Sequence, residues 1–200
     1  MTQARAARKA PPQSSPSSLV VAGNAGPSQV ALLPHGGADA AKRRPGGRSV
    51  GRRIQVRRSG VHGKGVFALQ AIAAGQTLIE YTGEIISWTE ALRRHPHDPK
   101  DPNHTFFFHI DEEHVIDAKV NGNAARWINH ACDPNCEADE TDEGRVFIKA
   151  LRDLEPGEEL FYDYGLVIDE RYTPKLKAEY ACRCGSPRCR GTMLAPKRRA

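Results

Sequence analysis

The stretch Asn121–Cys136, NGNAARWINHACDPNC, narrows what this chain can fold into more than any other. No ordinary core segment needs so many polar, aromatic and thiol groups in sixteen residues. Asn123 has the side-chain acceptor that satisfies free amides in a first helical turn, so a short helix is predicted from Ala124 through Ile128. It must stop there, because Asp133-Pro134-Asn135 is turn chemistry. The flanking Asn129, His130, Cys132 and Cys136 are all ligand-capable. Taken alone, Asn129-His130 reads as an incidental polar helix end; companions elsewhere in the chain make the stretch a candidate site.

The first companions are the other thiols. The chain has five cysteines, an odd number, and its early apolar runs, Leu19–Ala22 and Val30–Leu33, are too short for a signal peptide or a membrane span. A secreted disulfide fold is therefore not expected. Thiols that bind metal or stay free in a reducing, intracellular compartment are. Cys182-x-Cys184-x4-Cys189 is a compact thiolate cluster, one ligand short of the four that a structural zinc takes. Cys132 and Cys136 are the candidates for the fourth.

Charge divides the chain. Residues 1–58 hold eleven Lys and Arg against one acid, Asp39, so the overall +5 leaves −5 on residues 59–200. An acidic folded surface attracts cationic partners, while the basic tail suits weak contact with nucleic acid or another anionic surface. Residues 1–50 are rich in Ala, Pro, Ser, Gly and Arg without periodicity and are expected to be disordered. With 200 residues, 39% of them hydrophobic, the remainder supplies one domain with a real core.

Order is expected to begin near Ile54, where Ile54 and Val56 alternate with polar residues. Gly63 and Gly65 bracket Lys64 in a turn that lets backbone approach a neighbour closely, ahead of a short apolar strand. Thr77–Tyr81 and Glu84–Ile86 read as strands around a bend. Ser87-Trp-Thr-Glu90 has capping-box spacing, and the helix it starts ends at His95-Pro96. Beyond a proline-containing loop, Thr105–Ile110 and Val115–Asp117 form a hairpin, and so do Glu137–Glu140 and Arg145–Ala150. His104, His109 and His114 recur on the first hairpin without helical ligand spacing and read as incidental. Leu160–Tyr164 is a strand with Tyr162 and Tyr164 on one face.

The order of these pieces resembles a known family. H-G-K-G at 62–65, E-Y-T-G-E at 80–84, the central stretch, G-E-E-L-F-Y-D-Y at 157–164 and the final cysteine cluster resemble a SET-domain protein-lysine methyltransferase with a post-SET zinc segment, nearest the trithorax-type branch. The resemblance covers roughly Ile54 to Leu194. It implies a mainly β fold with short helices, made of small sheets, in which the Leu160–Tyr164 strand passes beneath a loop formed by the central stretch as a C-terminal pseudoknot. It divides the chain into a tail (1–50), a catalytic domain (51–174) and a post-SET zinc segment with a basic C-terminus (175–200).

The same resemblance implies S-adenosylmethionine as methyl donor. His62, Gly63, Lys64, Gly65, Phe106, Arg126, Asn129 and His130 would form its pocket, with Arg183, Met193 and Leu194 closing over it. One zinc would be held by Cys132, Cys182, Cys184 and Cys189. Of the available aromatics Tyr81, Tyr162, Tyr164 and Trp127, some would wall a channel for a substrate lysine, with the Tyr164 hydroxyl orienting the amine. Tyr162, two residues before it, would act as a gate favouring mono-methylation. The implied substrate is a basic, histone-like protein tail, and the implied state is an intracellular monomer, cytoplasmic or chromatin-associated. Three positions depart from the family pattern: Ala131 stands where Ser is usual, Trp127 where Phe is usual, and Phe106 where many relatives present a tyrosine. The competing reading is a SET-fold binding module of weak catalysis that holds nucleic acid by its basic arm.

Overall fold

Short β segments dominate because the apolar residues come in twos and threes at alternate positions, too closely punctuated by turns for long helices. The computed structural model describes residues 52–95, 105–168 and 171–197. The basic tail and the loop containing His97 and His104 lie outside the described residues. Among the described residues, ten strands appear in chain order: β1 Ile54–Arg58, β2 Lys64–Ala68, β3 Thr77–Tyr81, β4 Glu84–Ser87, β5 Phe107–His109, β6 His114–Asp117, β7 Asn129–His130, β8 Cys136–Glu140, β9 Val146–Ala150 and β10 Phe161–Tyr162. Helix α1 spans Trp88–Arg94, a 3₁₀ turn covers Ala124–Trp127, and helix α2 spans Pro174–Glu179. These strands make small sheets: β1-β2, β3-β9-β8 and β4-β6-β5, all antiparallel, and a parallel pair β7-β10.

Alternation along each strand assigns its two faces. In β5, Phe108 joins the main core while its neighbour Phe107 faces a second cluster with Ile86, Ala91 and Val115. That second cluster is roofed by α1. Ser87 caps this helix by accepting from the Glu90 amide at 3.2 Å, which is half of the predicted capping box. The other half is absent because Glu90 pairs instead with Arg93 and Arg94. Arg94 also reaches Glu84 at 2.8 Å and the fully buried Asp117 at 3.0 Å. A buried carboxylate needs such a partner, so α1 is pinned to both outer and central strands of its sheet.

The central stretch folds tighter than expected. Asn123 caps as predicted, accepting from Ala125 at 3.0 Å, but the turn is 3₁₀ and ends at Trp127. Its Nδ2 donates to Glu80 O at 2.7 Å, which ties the cap to β3. Asn129 and His130 then become strand β7, paired with Phe161 and Tyr162. The predicted Leu160–Tyr164 strand is correspondingly only two residues long, because β7 offers no more backbone to pair. Helix α2 was not anticipated, although Thr173-Pro174 carries its signal: the Thr173 hydroxyl accepts from Leu176 N and Pro174 occupies the first turn.

Asn135 clamps this junction. Its amide donates to Glu159 O at 2.8 Å and Glu158 Oε1 at 3.0 Å, and its carbonyl accepts from Phe161 N at 2.8 Å. At 4% exposed, it has no water to fall back on. Asn135→Ala strands Glu159 O and Phe161 N, while Glu158 Oε1 keeps Arg152, so we expect a loss of about 3 kcal/mol of stability, on the scale of unsatisfied buried polar groups. Urea unfolding checks this, and a change under 1 kcal/mol, on the scale of one ordinary net hydrogen bond, contradicts the clamp.

Candidate active site

Parallel pairing of β7 with β10 brings residues from five separate segments around one cavity of about 630 Å³. The β1–β2 turn contributes His62, Gly63 and Lys64; the start of the β5 segment contributes Phe106; the central stretch contributes Arg126, Asn129 and His130. Tyr164 enters from beyond β10, and Arg183 and Met193 close the far side. Gly65, Leu194, Tyr81 and Tyr162 are not part of the wall. Gly65 acts behind it: a Cβ there would lie 2.1 Å from Glu159 Oε1, so a larger residue would displace the carboxylate that Asn129 holds. Leu194, 1% exposed, packs into the core and bridges Leu166.

Asn129 ties the wall together. Its Nδ2 donates to Lys64 O at 2.8 Å and to Glu159 Oε1 at 3.1 Å, with His62 O at 3.3 Å. The donor is spent on structure, which leaves its Oδ1 to accept from a ligand. Trp127 forms an aromatic face with Phe106 in edge contact at 5.1 Å. Two cations lie against it: Lys64 Nζ at 4.4 Å and Arg126 Cζ at 4.9 Å from the ring centre. Arg126 Nη1 donates to Ala118 O at 2.9 Å, while its buried Nε has no partner among the described residues. An anionic group entering the cavity would find both cations.

Beside this wall stands a chain of rings. Tyr81 packs on Phe108 at 5.2 Å, Phe108 on Tyr162 at 6.4 Å, and Tyr162 on Tyr164 at 4.9 Å. Burial raises the pKa of all three phenols well above the ordinary value, so each stays protonated. Two of the hydroxyls donate to backbone: Tyr164 to Ile128 O at 2.9 Å and Tyr81 to Phe106 O at 3.1 Å. With their protons committed, these oxygens can only accept.

The metal-ligand set lies against the same wall. Sγ atoms of Cys132, Cys182, Cys184 and Cys189 all lie within 4.8 Å of one another. Cys132 Sγ is 3.7 Å from Cys182 Sγ and 4.0 Å from Cys189 Sγ. A tetrahedron of thiolates around zinc has sulfur–sulfur edges of about 3.8 Å, so the donor set fits that ion. Cys136 is excluded from it: fully buried on β8, its thiol is pushed up to about 12 by burial. Between metal set and cavity sits His130, 4% exposed, whose imidazole burial pushes down to about 4 and so keeps neutral. His109 packs on Trp88 of α1 at 6.0 Å and His114 lies 3.1 Å from Asp111 in its own turn, and neither belongs to the cysteine set.

Several contributors lacked a legible signal in the sequence. Thr105, Ala178 and Glu179 line the cavity, and the two from α2 are placed there only by the fold of the last segment. Glu159 and Asn135 lie in stretches that read as turn chemistry, and only the fold shows that they hold the wall from behind.

Comparison with known proteins agrees with this geometry. A SET-domain profile matches residues 63–165. The chain is 39% identical over 146 residues, 71% of its length, to the histone-lysine N-methyltransferase set1 of Dictyostelium discoideum. It is 39% identical over 140 residues to the histone-lysine N-methyltransferase trithorax of Drosophila virilis, which covers 68% of this chain. Identity is 40% over 142 residues, 69% of this chain, to the H3 lysine-4 specific histone-lysine N-methyltransferase of Saccharomyces cerevisiae. The chain spans only 9%, 4% and 13% of those relatives' lengths. With its cavity, tyrosine row and cysteine cluster joined through one matched segment, the chain belongs to the SET-domain family.

Proposed function

We propose that this chain is an S-adenosylmethionine-dependent protein-lysine N-methyltransferase acting on a basic, histone-like tail. One observation carries the reading: a protonated tyrosine, Tyr164, borders a cation-walled cavity and has its own proton committed to Ile128 O. Its relatives are named histone-lysine N-methyltransferases, and the −5 on residues 59–200 favours encounter with a basic substrate.

When bound, the donor supplies a methyl group on a positively charged sulfonium. Lys64 and Arg126 suit its carboxylate and Asn129 Oδ1 its ammonium, while Trp127 gives the cavity an apolar side. Tyr164, acceptor-only, holds an amine N–H and so aims the nitrogen lone pair away from itself. None of the buried phenols serves as a base near neutral pH. The amine must therefore lose its proton to water on entry, aided by desolvation, which lowers a lysine from its reference value near 10.4. Alignment of the two reacting groups and exclusion of water then carry the acceleration.

Tyr164→Phe keeps the ring and deletes one hydroxyl, so we expect turnover to fall about 100-fold, the size of one preorganised polar contact. Donor affinity should be nearly unchanged. Equal turnover in the two proteins, measured on a histone-tail peptide, contradicts the assignment. Tyr162, 4% exposed and packed on Tyr164, leaves little space for a methylated amine to rotate. The natural protein is expected to make mainly mono-methyl-lysine, and Tyr162→Phe to shift product toward di- and trimethyl-lysine. Dominant trimethylation by the natural protein, seen by mass spectrometry, would show that the hydroxyl missing at Phe106 outweighs this gate. Zinc should bind once per chain. Cys132→Ser should lose it and Cys136→Ser retain it, and elemental analysis giving the reverse would overturn the ligand set.

A further inference from the structure

Two hydrogen-bonded routes run from Cys132 to the backbone of Tyr164, and together they close a ring. In the first, Tyr164 N–H donates to His130 Nδ1 at 3.1 Å. That nitrogen is thereby an acceptor, and Nε2 of the same ring lies 3.4 Å from Cys132 Sγ. The second route starts at the same sulfur, where Arg190 N–H donates at 3.3 Å. The guanidinium of Arg190 grips both oxygens of Asp163, at 2.6 and 2.9 Å. Asp163 Oδ1 accepts from Gly165 N–H at 3.1 Å and lies 3.4 Å from His130 Nδ1. Both amides that follow Asp163 are thus fixed by groups whose other ends rest on one cysteine sulfur.

We propose that Arg190 is a positioning residue for methyl transfer: through Asp163 it sets the backbone of Tyr164, so that order in the cysteine cluster and order at the Tyr164 hydroxyl rise and fall together. The word transfer rests on the lysine-methyltransferase reading; the geometry does not. Stability alone is a poor reason for this ion pair. Its side chains are 25% and 35% exposed, and pairs that open to water contribute little. What a two-pronged arginine contact adds is a fixed distance and angle, which a lysine cannot reproduce. Asp163 lies between the two tyrosines of the proposed channel, where a displacement of about 1 Å can cost on the order of 100-fold in rate. Arg190 lines no part of the cavity.

The test uses the full zinc-loaded chain with Arg190→Gln, Arg190→Lys, Asp163→Asn and the Gln/Asn double variant. Arg190→Gln should keep its zinc and its KM for the donor while kcat on a histone-tail peptide falls about tenfold or more. Amide exchange at Tyr164 and Gly165, followed by NMR, should quicken by about the same tenfold as the local opening free energy drops. Asp163→Asn should match it, the double variant should be no worse than either single, and Arg190→Lys should recover part of the loss. Lost zinc with unchanged exchange at Tyr164 would mark a merely structural role and overturn the proposal. Additive losses in the double variant, or unchanged kcat and exchange, would also overturn it. If the natural protein transfers no methyl group, the enzymatic reading fails, and amide exchange in the variants still decides the role of Arg190.

Discussion

Everything functional in this molecule depends on the two-residue parallel pairing of Asn129-His130 with Phe161-Tyr162. Two paired residues are far too little to hold a junction by ladder hydrogen bonds alone, so side chains do the rest. Asn135 holds Glu159 and Phe161 from one side, and His130 takes the Tyr164 amide from the other. Because Asn129 also binds the backbone of the β1–β2 turn, the same junction positions the cavity wall, the tyrosine row and Cys132. A site assembled from such distant segments is only as precise as the polar contacts that join them.

Local chemistry makes much of this legible in the sequence. The capping residues Ser87 and Asn123, the hairpin of Thr105–Ile110 with Val115–Asp117, and the thiol spacing at Cys182 to Cys189 are short-range signals, and the structure has a cap, an antiparallel pair and a cysteine cluster at those places. Long-range pairings were less accessible. Nothing within residues 157–164 says that Glu159 will sit against Gly65, or that Asp163 will meet Arg190, because those contacts are made by segments that only the fold brings together. The 3₁₀ turn at Ala124–Trp127 differs from the expected longer helix for a related reason: Ile128 and the residues after it are recruited into contacts with the β10 segment, and propensity yields to tertiary pairing.

The three positions that the resemblance marks as departures from its pattern make contacts of their own here. Phe106 lacks a hydroxyl, but it is its backbone carbonyl that binds Tyr81, so this contact does not depend on the side chain. Trp127 enlarges the aromatic face on which Lys64 and Arg126 rest. Ala131 donates its amide to Tyr162 O at 3.2 Å, a contact that any side chain there preserves. The tyrosines remain neutral through burial, and a neutral acceptor beside a desolvated amine is what an in-line methyl transfer requires of the protein.

The central claim is that the cavity and the tyrosine row together deliver a methyl group to lysine nitrogen. Incubating the purified chain with methyl-labelled S-adenosylmethionine and whole histones, then mapping the label by peptide sequencing, tests it most directly. The account predicts label on lysine side chains of a basic histone tail and none on a tail whose lysines are replaced by arginine. Label retained on the arginine-substituted tail, or no label on any histone while zinc and donor are both bound, would contradict it.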